Sequence, residues 1–358
     1  MEESGFSKYL SRLPLRRRNL LKTALTATVA TPLGAVLLEA CSTSSSNSST
    51  LTEGNFPSHP KWKFVFVNHV TTNPFFVPTQ YGIQDACALL GCTYQWTGSE
   101  NSIISQMVNA FDGAVAAKAN GIAIALVDPT AFNAPVEQAL AAGIPVVSYN
   151  ADSTSNARMA YIGQDLLASG QQLGKRLAQK VTSGEVAGFI ATPGQSNIQP
   201  RMDGAIQAFK QYAPAVTVTP ITTGALVNQE LTAIEAYAVS HPHVAGMFAV
   251  DGGSTQSLGQ TVEKYSLKIP TGGFDLEPIT LQEIQKGNLG FTIDQQPYLQ
   301  GFVPVVQLFL YNLSGGLMRP AQTDTGLLFV DQSNVAPYLK TQTRFEGSSS
   351  KEQVVPAS

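Results

Sequence analysis

Short polar side chains, two phenylalanines and one arginine recur along the chain at the ends of apolar runs. Asp, Asn and Gln side chains accept hydrogen bonds and the amides also donate them, so together they can pair with hydroxyl groups, which do both. A phenyl ring can stack on the C–H face of a sugar, and a guanidinium donates a planar fork of hydrogen bonds. This chemistry suits a sugar or polyol, and the candidate ligand contacts are Asn73, Phe75, Phe76, Asp128, Asn150, Arg201, Asp251, Asp275 and Gln295.

Each of these residues has an ordinary structural explanation when it is taken alone. Adjacent phenylalanines after a strand usually belong to a core, and an Asp or Asn there usually caps a helix or forms a turn. Arg201 alone would be a surface residue of a helix. Their joint occurrence at the ends of six successive strands is what favours a ligand site. His69 and Tyr149 are two further candidates, with a structural role as the alternative for both.

The apolar runs alternate with amphipathic stretches from Lys61 onward, which predicts alternating strands and helices. In the helix that Ser102 could cap, Met107 and Phe111 fall on one face. Such alternation predicts an α/β fold with two similar doubly wound parallel-sheet lobes, whose ligands lie beyond the carboxyl ends of the strands. The predicted strands cover residues 63–67, 93–96, 122–126, 145–149, 186–191, 216–221, 246–250, 272–274, 289–293 and 327–330.

The composition argues against several classes of function. Only 13% of the 358 residues are charged and the net charge is −3, so the chain lacks the basic surface that nucleic-acid binding needs. Three cysteines are too few for a disulfide framework, and the only His cluster, His241 and His243, falls at a predicted turn. The sequence contains none of the common nucleophile, metal or nucleotide motifs. We therefore expect a binding protein without catalytic residues, metal or cofactor, and not an enzyme.

The first 40 residues differ from the rest and predict an export signal of the lipoprotein type. The run Arg17-Arg18-Asn19-Leu20-Leu21-Lys22 precedes an apolar stretch and resembles a twin-arginine export motif. The run Leu38-Glu39-Ala40-Cys41 resembles a bacterial lipobox, with Glu39 as a departure and Cys41 as the residue to be acylated. Residues 41–60 predict a Ser/Thr-rich tether and residues 341–358 a flexible tail. A plain secretory signal and an uncleaved anchor are the alternatives.

Six short motifs, in this order and spacing, resemble those of the type I periplasmic sugar-binding proteins, the ribose-binding branch in particular. They are Asn73-Pro74-Phe75-Phe76, Ala142-Gly143-Ile144-Pro145-Val146-Val147, Arg201-Met202-Asp203-Gly204, Phe248-Ala249-Val250-Asp251, Gly273-Phe274-Asp275 and Ile293-Asp294-Gln295-Gln296-Pro297. The resemblance covers about Lys61 to Val330. It implies that Phe75 and Phe76 sandwich a sugar ring, and that the oxygens of the sugar are bonded by Asn73, Arg201, Asp275 and Gln295.

The main departure from the family pattern follows the fourth predicted strand. Members of the family commonly have Asp-Arg there, which grip adjacent hydroxyls, whereas this chain has Asn150-Ala151. Asp128 and Asp251 also stand where Asn is usual. The missing arginine predicts that free ribose is not the best ligand, and it leaves open an acyclic polyol, a modified sugar or another small polar molecule.

The resemblance also implies three crossings between two lobes that close over the ligand. We expect them near Asn150–Ser153, Asp275–Pro278 and Asp294–Pro297, with a first lobe of residues 61–150 plus 276–294 and a second of 151–275 plus 295–340. The closed monomer would deliver a sugar or polyol to an ABC transporter permease with its ATPase subunit. It would do so in the periplasm or at the outer face of the cytoplasmic membrane, held by its lipid anchor. A binding protein that reports to a membrane sensor or chemoreceptor is the alternative.

Overall fold

Two parallel β-sheets, each covered by helices, dominate the part of the chain that the structure describes. The structure is a computed structural model, and it describes residues 57–318 and 322–340. The predicted export signal, Cys41, the predicted tether up to residue 56 and the predicted tail lie outside the described residues. Among the helices of these two ranges, none is both long enough and apolar enough to cross a membrane.

Strands and helices alternate through most of the described ranges, as the sequence predicts. The strands are β1 (Lys63–Asn68), β2 (Thr93–Gly98), β3 (Gly121–Ile124), β4 (Val146–Tyr149), β5 (Tyr161–Gly163), β6 (Ser183–Ile190), β7 (Ala215–Thr222), β8 (Gly246–Ala249), β9 (Thr271–Gly272), β10 (Thr292–Asp294), β11 (Thr323–Asp324) and β12 (Leu328–Val330). The helices are α1 (Val77–Leu90), α2 (Ile104–Ala116), α3 (Asn133–Ala141), α4 (Leu166–Ala178), α5 (Gln199–Tyr212), α6 (Val227–Ser240), α7 (Gly252–Tyr265), α8 (Pro278–Lys286), α9 (Pro297–Leu313) and α10 (Ala336–Lys340).

The first sheet is parallel and has the strand order β11-β5-β4-β3-β1-β2. Strands β3 and β4 are continuous buried runs, as expected where helices cover both faces of a sheet. Helix α9 packs on α1 at two glycines. A Cβ added to Gly301 would lie 1.9 Å from the Thr79 carbonyl oxygen, and one added to Gly82 would lie 2.2 Å from that of Tyr298. The two backbones therefore touch, which fixes α9 against the first lobe.

The second lobe contains a parallel sheet of order β7-β6-β8-β9 and an antiparallel pair formed by β10 and β12. Helices α4 and α5 pack closely beside this sheet. At their contact, a Cβ added to Gly170 would lie 2.1 Å from the carbonyl oxygen of Arg201. This close approach fixes the first turn of α5 and, with it, the backbone of Arg201.

The later lobe boundaries differ from the predicted ones. Strand β5 pairs with β4, β11 pairs with β5, and α9 packs on α1, so all three belong to the first lobe. Residues 276–294 belong to the second lobe, where Leu281 and Ile284 enter the core. The predicted lobe assignment, which put residues 276–294 in the first lobe and residues 151–163 and α9 in the second, is therefore wrong. Strands β5 and β11 have only three and two residues, and neither is among the predicted strands.

Three segments of the described chain cross between the lobes: residues 164–165 between β5 and α4, 295–296 between β10 and α9, and 325–327 between β11 and β12. The second of these agrees with the crossing expected at Asp294–Pro297. The crossings expected near Asn150–Ser153 and Asp275–Pro278 are wrong. Asn150 leads from β4 to β5 within one sheet, and Asp275 leads from β9 to α8 within one lobe.

Of two helix caps predicted from the sequence, one is present in the structure and one is not. Asp165 caps α4 as expected, and its carboxylate accepts a hydrogen bond from the Ala168 N–H at 2.9 Å. Ser102 does not cap α2, because its backbone lies in the left-handed region with a φ of +57°. The N-cap residue of α2 is Ile103, no side chain caps the helix, and the hydroxyl of Ser99 accepts from the Ile103 N–H at 3.0 Å.

Candidate ligand-binding site

A cavity of about 90 Å³ lies between the lobes, beyond the carboxyl ends of strands from both sheets. Eight of the nine predicted contacts line this cavity, as expected for residues that follow strands converging at one edge of a sheet. They are Asn73, Phe75 and Phe76 after β1, Asn150 after β4, Arg201 at the start of α5, Asp251 after β8, Asp275 after β9 and Gln295 after β10.

The two lobes touch each other across this cavity. Gln195 of the second lobe donates to the hydroxyl of Ser102 in the first lobe at 2.8 Å. The Ser196 N–H donates to the Val127 carbonyl at 2.9 Å. These contacts hold the two lobes together beside the cavity.

The first lobe contributes an amide and two aromatic rings. The Asn73 side-chain oxygen accepts from the Phe75 N–H at 2.9 Å, which caps the short 3-10 turn Pro74–Phe76 and leaves the amide NH₂ group as its donor. The Phe75 and Phe76 rings lie 4.7 Å apart and 86° to one another. Perpendicular rings cannot both stack face-on against one sugar ring, so the expected sandwich is not present in this arrangement.

Arg201 is fixed in place from three sides. Its side chain is only 2% exposed. Nη1 donates to the Val250 carbonyl at 3.1 Å, Nη2 donates to Gln164 Oε1 at 3.2 Å, and the guanidinium carbon lies 4.1 Å from the centre of the Phe274 ring. Burial lowers the pKa of Arg201, while the neighbouring carboxyl groups, Asp275 first, raise it. The guanidinium is thus a preorganised positive charge in the cavity wall.

Two predicted contacts have left-handed backbones. Asp275 has a φ of +76° and Asn150 a φ of +62°. Asp and Asn tolerate this region better than other residues, yet it still stores strain, which is typical of functional sites. The Asp275 carboxylate accepts from Gln295 Nε2 at 2.6 Å, and the Asn150 amide donates to Gln300 Oε1 at 3.2 Å. Burial raises the pKa of Asp275, and the charge of Arg201 opposes this rise.

Asp251 has both a capping role and a place in the cavity wall. Its Oδ1 accepts from the Ser254 N–H at 2.8 Å, which caps α7, and its Oδ2 accepts from the Ala191 N–H at 3.0 Å. Burial raises the pKa of Asp251, and these hydrogen bonds oppose the rise. These two hydrogen bonds therefore fix the orientation of the Asp251 side chain in the cavity wall.

Asp128 lies outside the residues that line the cavity, so the structure does not bring it together with the other eight predicted contacts. It forms a local turn in which its carboxylate accepts from the Thr130 N–H at 2.9 Å and the Ala131 N–H at 2.8 Å. These bonds lower its pKa. Of the two further candidates, His69 lines the cavity, and its burial lowers its pKa to about 4. Tyr149 is buried away from the cavity and accepts from the Asn68 amide at 2.9 Å.

Two glutamates of the cavity wall are absent from the predicted set. Glu230 comes from α6 and Glu277 from the start of α8, and an acidic residue on a helix normally indicates a solvated surface. The signal in the sequence is the pair Gly252-Gly253. A Cβ added to Gly252 would lie 2.1 Å from Glu277 Oε1, and one added to Gly253 would lie 2.0 Å from Glu230 Oε2. Two adjacent glycines thus leave the space that two carboxyl groups fill.

Several buried polar atoms of the cavity wall have no hydrogen-bond partner within the described residues. Four of them belong to residues that are more than nine-tenths buried: His69 Nδ1, Asn150 Oδ1, Arg201 Nε and Glu230 Oε2. Unpaired buried groups are costly, and native proteins rarely keep them without a purpose. The set offers donors and acceptors together, which is what hydroxyl groups require. In the two described ranges, no cluster of three or more His, Cys, Asp or Glu residues is arranged to hold a metal ion.

A buried network of amides joins this cavity to two of the crossings. Gln300 donates to Gln295 Oε1 at 3.0 Å and accepts from the Asn150 amide at 3.2 Å. The Thr325 hydroxyl, in the third crossing, donates to the Gln295 carbonyl, in the second, at 2.7 Å. Residues that face the cavity therefore also hold the segments about which the lobes would move.

Comparisons with known proteins agree with this geometry. The sequence model described as "Periplasmic binding protein domain" matches residues 64–314. A xylose/arabinose-binding protein of Sulfolobus acidocaldarius is 52% identical over 314 residues, which are 83% of this chain and 77% of that protein. A ribose import binding protein of Haemophilus influenzae is 28% identical over 65% of this chain and 80% of that protein.

Solved structures agree as well. A carbohydrate transporter from Acidothermus cellulolyticus in complex with myo-inositol has a TM-score of 0.72 and 28% identity, covering 81% of this chain and 100% of that one. A solute-binding protein from Burkholderia graminis in complex with D-arabinose has a TM-score of 0.74 and 23% identity, covering 79% and 99%. The expected fold, two doubly wound lobes of periplasmic binding protein type I, is thereby confirmed. The chain belongs to the periplasmic binding protein family.

Proposed function

We propose that this protein captures an uncharged monosaccharide, of the pentose class, between its two lobes for delivery to an ABC import permease and its ATPase subunit. The observation that carries the proposal is the cavity, which eight expected sugar contacts from both lobes line. Several buried polar atoms of its wall have no hydrogen-bond partner within the described residues. Family membership confirms the prediction of a binding protein and not an enzyme, and it places the folded part outside the cytoplasm.

The charges around the cavity support an uncharged ligand. Among the residues that the structure describes, four carboxyl groups line it and Arg201 is the one permanent cation, so a ligand carboxylate or phosphate would meet an excess of negative groups. A neutral sugar can instead donate its hydroxyls to these carboxyl oxygens. Hydrogen bonds to charged acceptors contribute about 1.5–3 kcal/mol each, more than bonds between neutral groups.

The pentose class is supported by the relative at 52% identity, which is named for xylose and arabinose. The segment after β4 supports a ligand other than ribose. Ala151 is fully buried in the core, and Asp152 is paired with Arg158, Oδ2 to Nη2, at 2.5 Å. Neither residue supplies the Asp-Arg grip that this position commonly provides in the ribose-binding branch.

We further propose that the exported protein is a monomer held at the outer face of the cytoplasmic membrane by acylation of Cys41. The support is the lipobox-like run at residues 38–41, the arginine pair at residues 17–18 and the Ser/Thr-rich stretch that follows Cys41.

A thermal-shift screen of the tagged protein from Ser42 to Ser358 tests the proposed function. At 100 times its dissociation constant, a sugar stabilises the fold by about 2.7 kcal/mol, which is roughly 5–11 °C for a protein of this size. Xylose or arabinose should give the largest shift in a panel with ribose, glucose and myo-inositol, and glucuronate should give none. Asp128→Ala is the matched control and should shift like the wild type. Absence of a shift with every neutral sugar would refute the proposal.

A further inference from the structure

Glu230 is a buried acid that neither a helix cap nor an ion pair explains. Its side chain is 4% exposed, lines the cavity, and has one carboxyl oxygen, Oε2, without a hydrogen-bond partner in the described part of the chain. The groups that face it are acidic. Asp251 stands at the start of α7 and Glu277 at the start of α8. Arg201, the nearby cation, is already bonded to Val250 and Gln164.

Two carboxyl groups in contact cannot both stay charged in a buried place at little cost. Glu230 and Asp251 line the same cavity, and a hydrogen bond between their carboxyl groups is among the causes that raise the pKa of Glu230. Both oxygens of Asp251 also accept backbone N–H groups, from Ser254 and from Ala191, and these bonds favour the charged form of Asp251. A proton shared by the pair is therefore expected on Glu230, with Asp251 as its acceptor.

We propose that Glu230 contacts the sugar as a neutral carboxylic acid, with one oxygen donating its proton to Asp251 and the other accepting a ligand hydroxyl. This inference rests on the proposed function and adds a specificity-determining residue to its site. The empty space beside Gly253 is what admits the side chain, since any Cβ there would collide with the carboxyl group.

The shared proton makes sugar binding sensitive to alkaline pH. Burial, followed by the charges of Asp251 and Glu277, raises the pKa of Glu230 to about 9. A bound sugar displaces the water that a Glu230 carboxylate would need, so the sugar favours the neutral form. Affinity should therefore be constant from pH 6 to 8 and should fall above the pKa of Glu230.

Isothermal titration of xylose and of arabinose at pH 6, 8 and 10 tests this inference with the wild type and two variants. Glu230→Gln keeps a donor for Asp251 and a carbonyl oxygen for the sugar. It should bind within threefold of the wild type at pH 6 and lose less than twofold by pH 10. The wild type should lose at least fivefold over that range, and Glu230→Ala should be at least fivefold weaker than the wild type at pH 6.

Thermal unfolding of each variant without sugar, at each pH, shows that the titrated protein is folded. Equal affinity of Glu230→Ala and wild type would overturn the contact. A flat wild-type profile, or the same alkaline loss in Glu230→Gln, would overturn the neutral acid. Failure of the wild type to bind xylose, arabinose or any other sugar of the panel at any pH would refute the proposed function itself.

Discussion

Replacing Arg201 by alanine should weaken both the fold and sugar binding. The guanidinium is the positive charge that faces Asp275 and Asp251, and it is almost completely buried. Its removal leaves the Val250 carbonyl and Gln164 Oε1 without their donor and takes a stacked group from the Phe274 ring. The substitution therefore damages a site that is assembled before any sugar arrives.

The magnitude follows from these contacts. Breaking a buried charge interaction by removing one partner costs about 3–5 kcal/mol, a range that includes the penalty for the acceptors left unsatisfied. For a protein of this size, each kcal/mol lowers the unfolding midpoint by about 2–4 °C, so we expect a drop of roughly 6–20 °C without sugar. Loss of a charged donor to the sugar should in addition weaken binding at least tenfold, about 1.4 kcal/mol or more.

Differential scanning fluorimetry and isothermal titration measure the two effects separately. Lys210→Ala is the matched control, because Lys210 lies exposed on the same helix and its replacement also removes one positive charge. It should unfold within 1–2 °C of the wild type, as surface substitutions usually do. The reasoning would be refuted if Arg201→Ala had the same unfolding midpoint as Lys210→Ala and a dissociation constant for xylose within threefold of the wild-type value.

Three further outcomes are expected. Between pH 7 and 9 the wild type should lose up to about 1.4 kcal/mol of unfolding free energy per pH unit, because folded Glu230 keeps a proton that the unfolded chain releases. Urea titrations at each pH measure this slope, and Glu230→Gln should flatten it. Gly301→Ala should prevent the close packing of α9 on α1 and lower the unfolding midpoint strongly, whereas Gly113→Ala, with open space at its Cβ, should leave the midpoint unchanged or raise it. Cys41→Ser should convert a membrane-associated protein into a soluble exported one, as fractionation would show, and retention in the membrane would instead indicate an uncleaved anchor.

Most of the fold follows from the alternation of apolar runs and amphipathic stretches. Continuous buried runs such as β3 and capped helices such as α4 have strong local signals. The short strands β5 and β11 have none, since their existence depends on pairing with β4 and with each other, far apart in the sequence. Two of the three crossings differ from the predicted ones for the same reason, because a crossing is defined by which sheet the next strand joins.

The site residues also divide into those that the sequence predicts and those that it does not. Residues that directly follow a predicted strand, such as Asn150, Asp251 and Asp275, could be found because strand ends converge at one edge of a sheet. The same rule included Asp128, whose turn uses both available backbone donors and keeps its carboxylate local. Glu230 could not be found by this rule, since it lies on a helix and reaches the cavity only through the space beside Gly253.

The return of α9 and β11 to the first sheet has a consequence for the order in which the chain can fold during synthesis. The first lobe lacks the helix that covers α1, and the edge strand that covers β5, until residue 324 has left the ribosome. The second lobe in turn awaits β12, the partner of β10. Neither lobe is a continuous piece of chain, so a nascent chain truncated before α9 should be degraded by proteases that spare the finished protein.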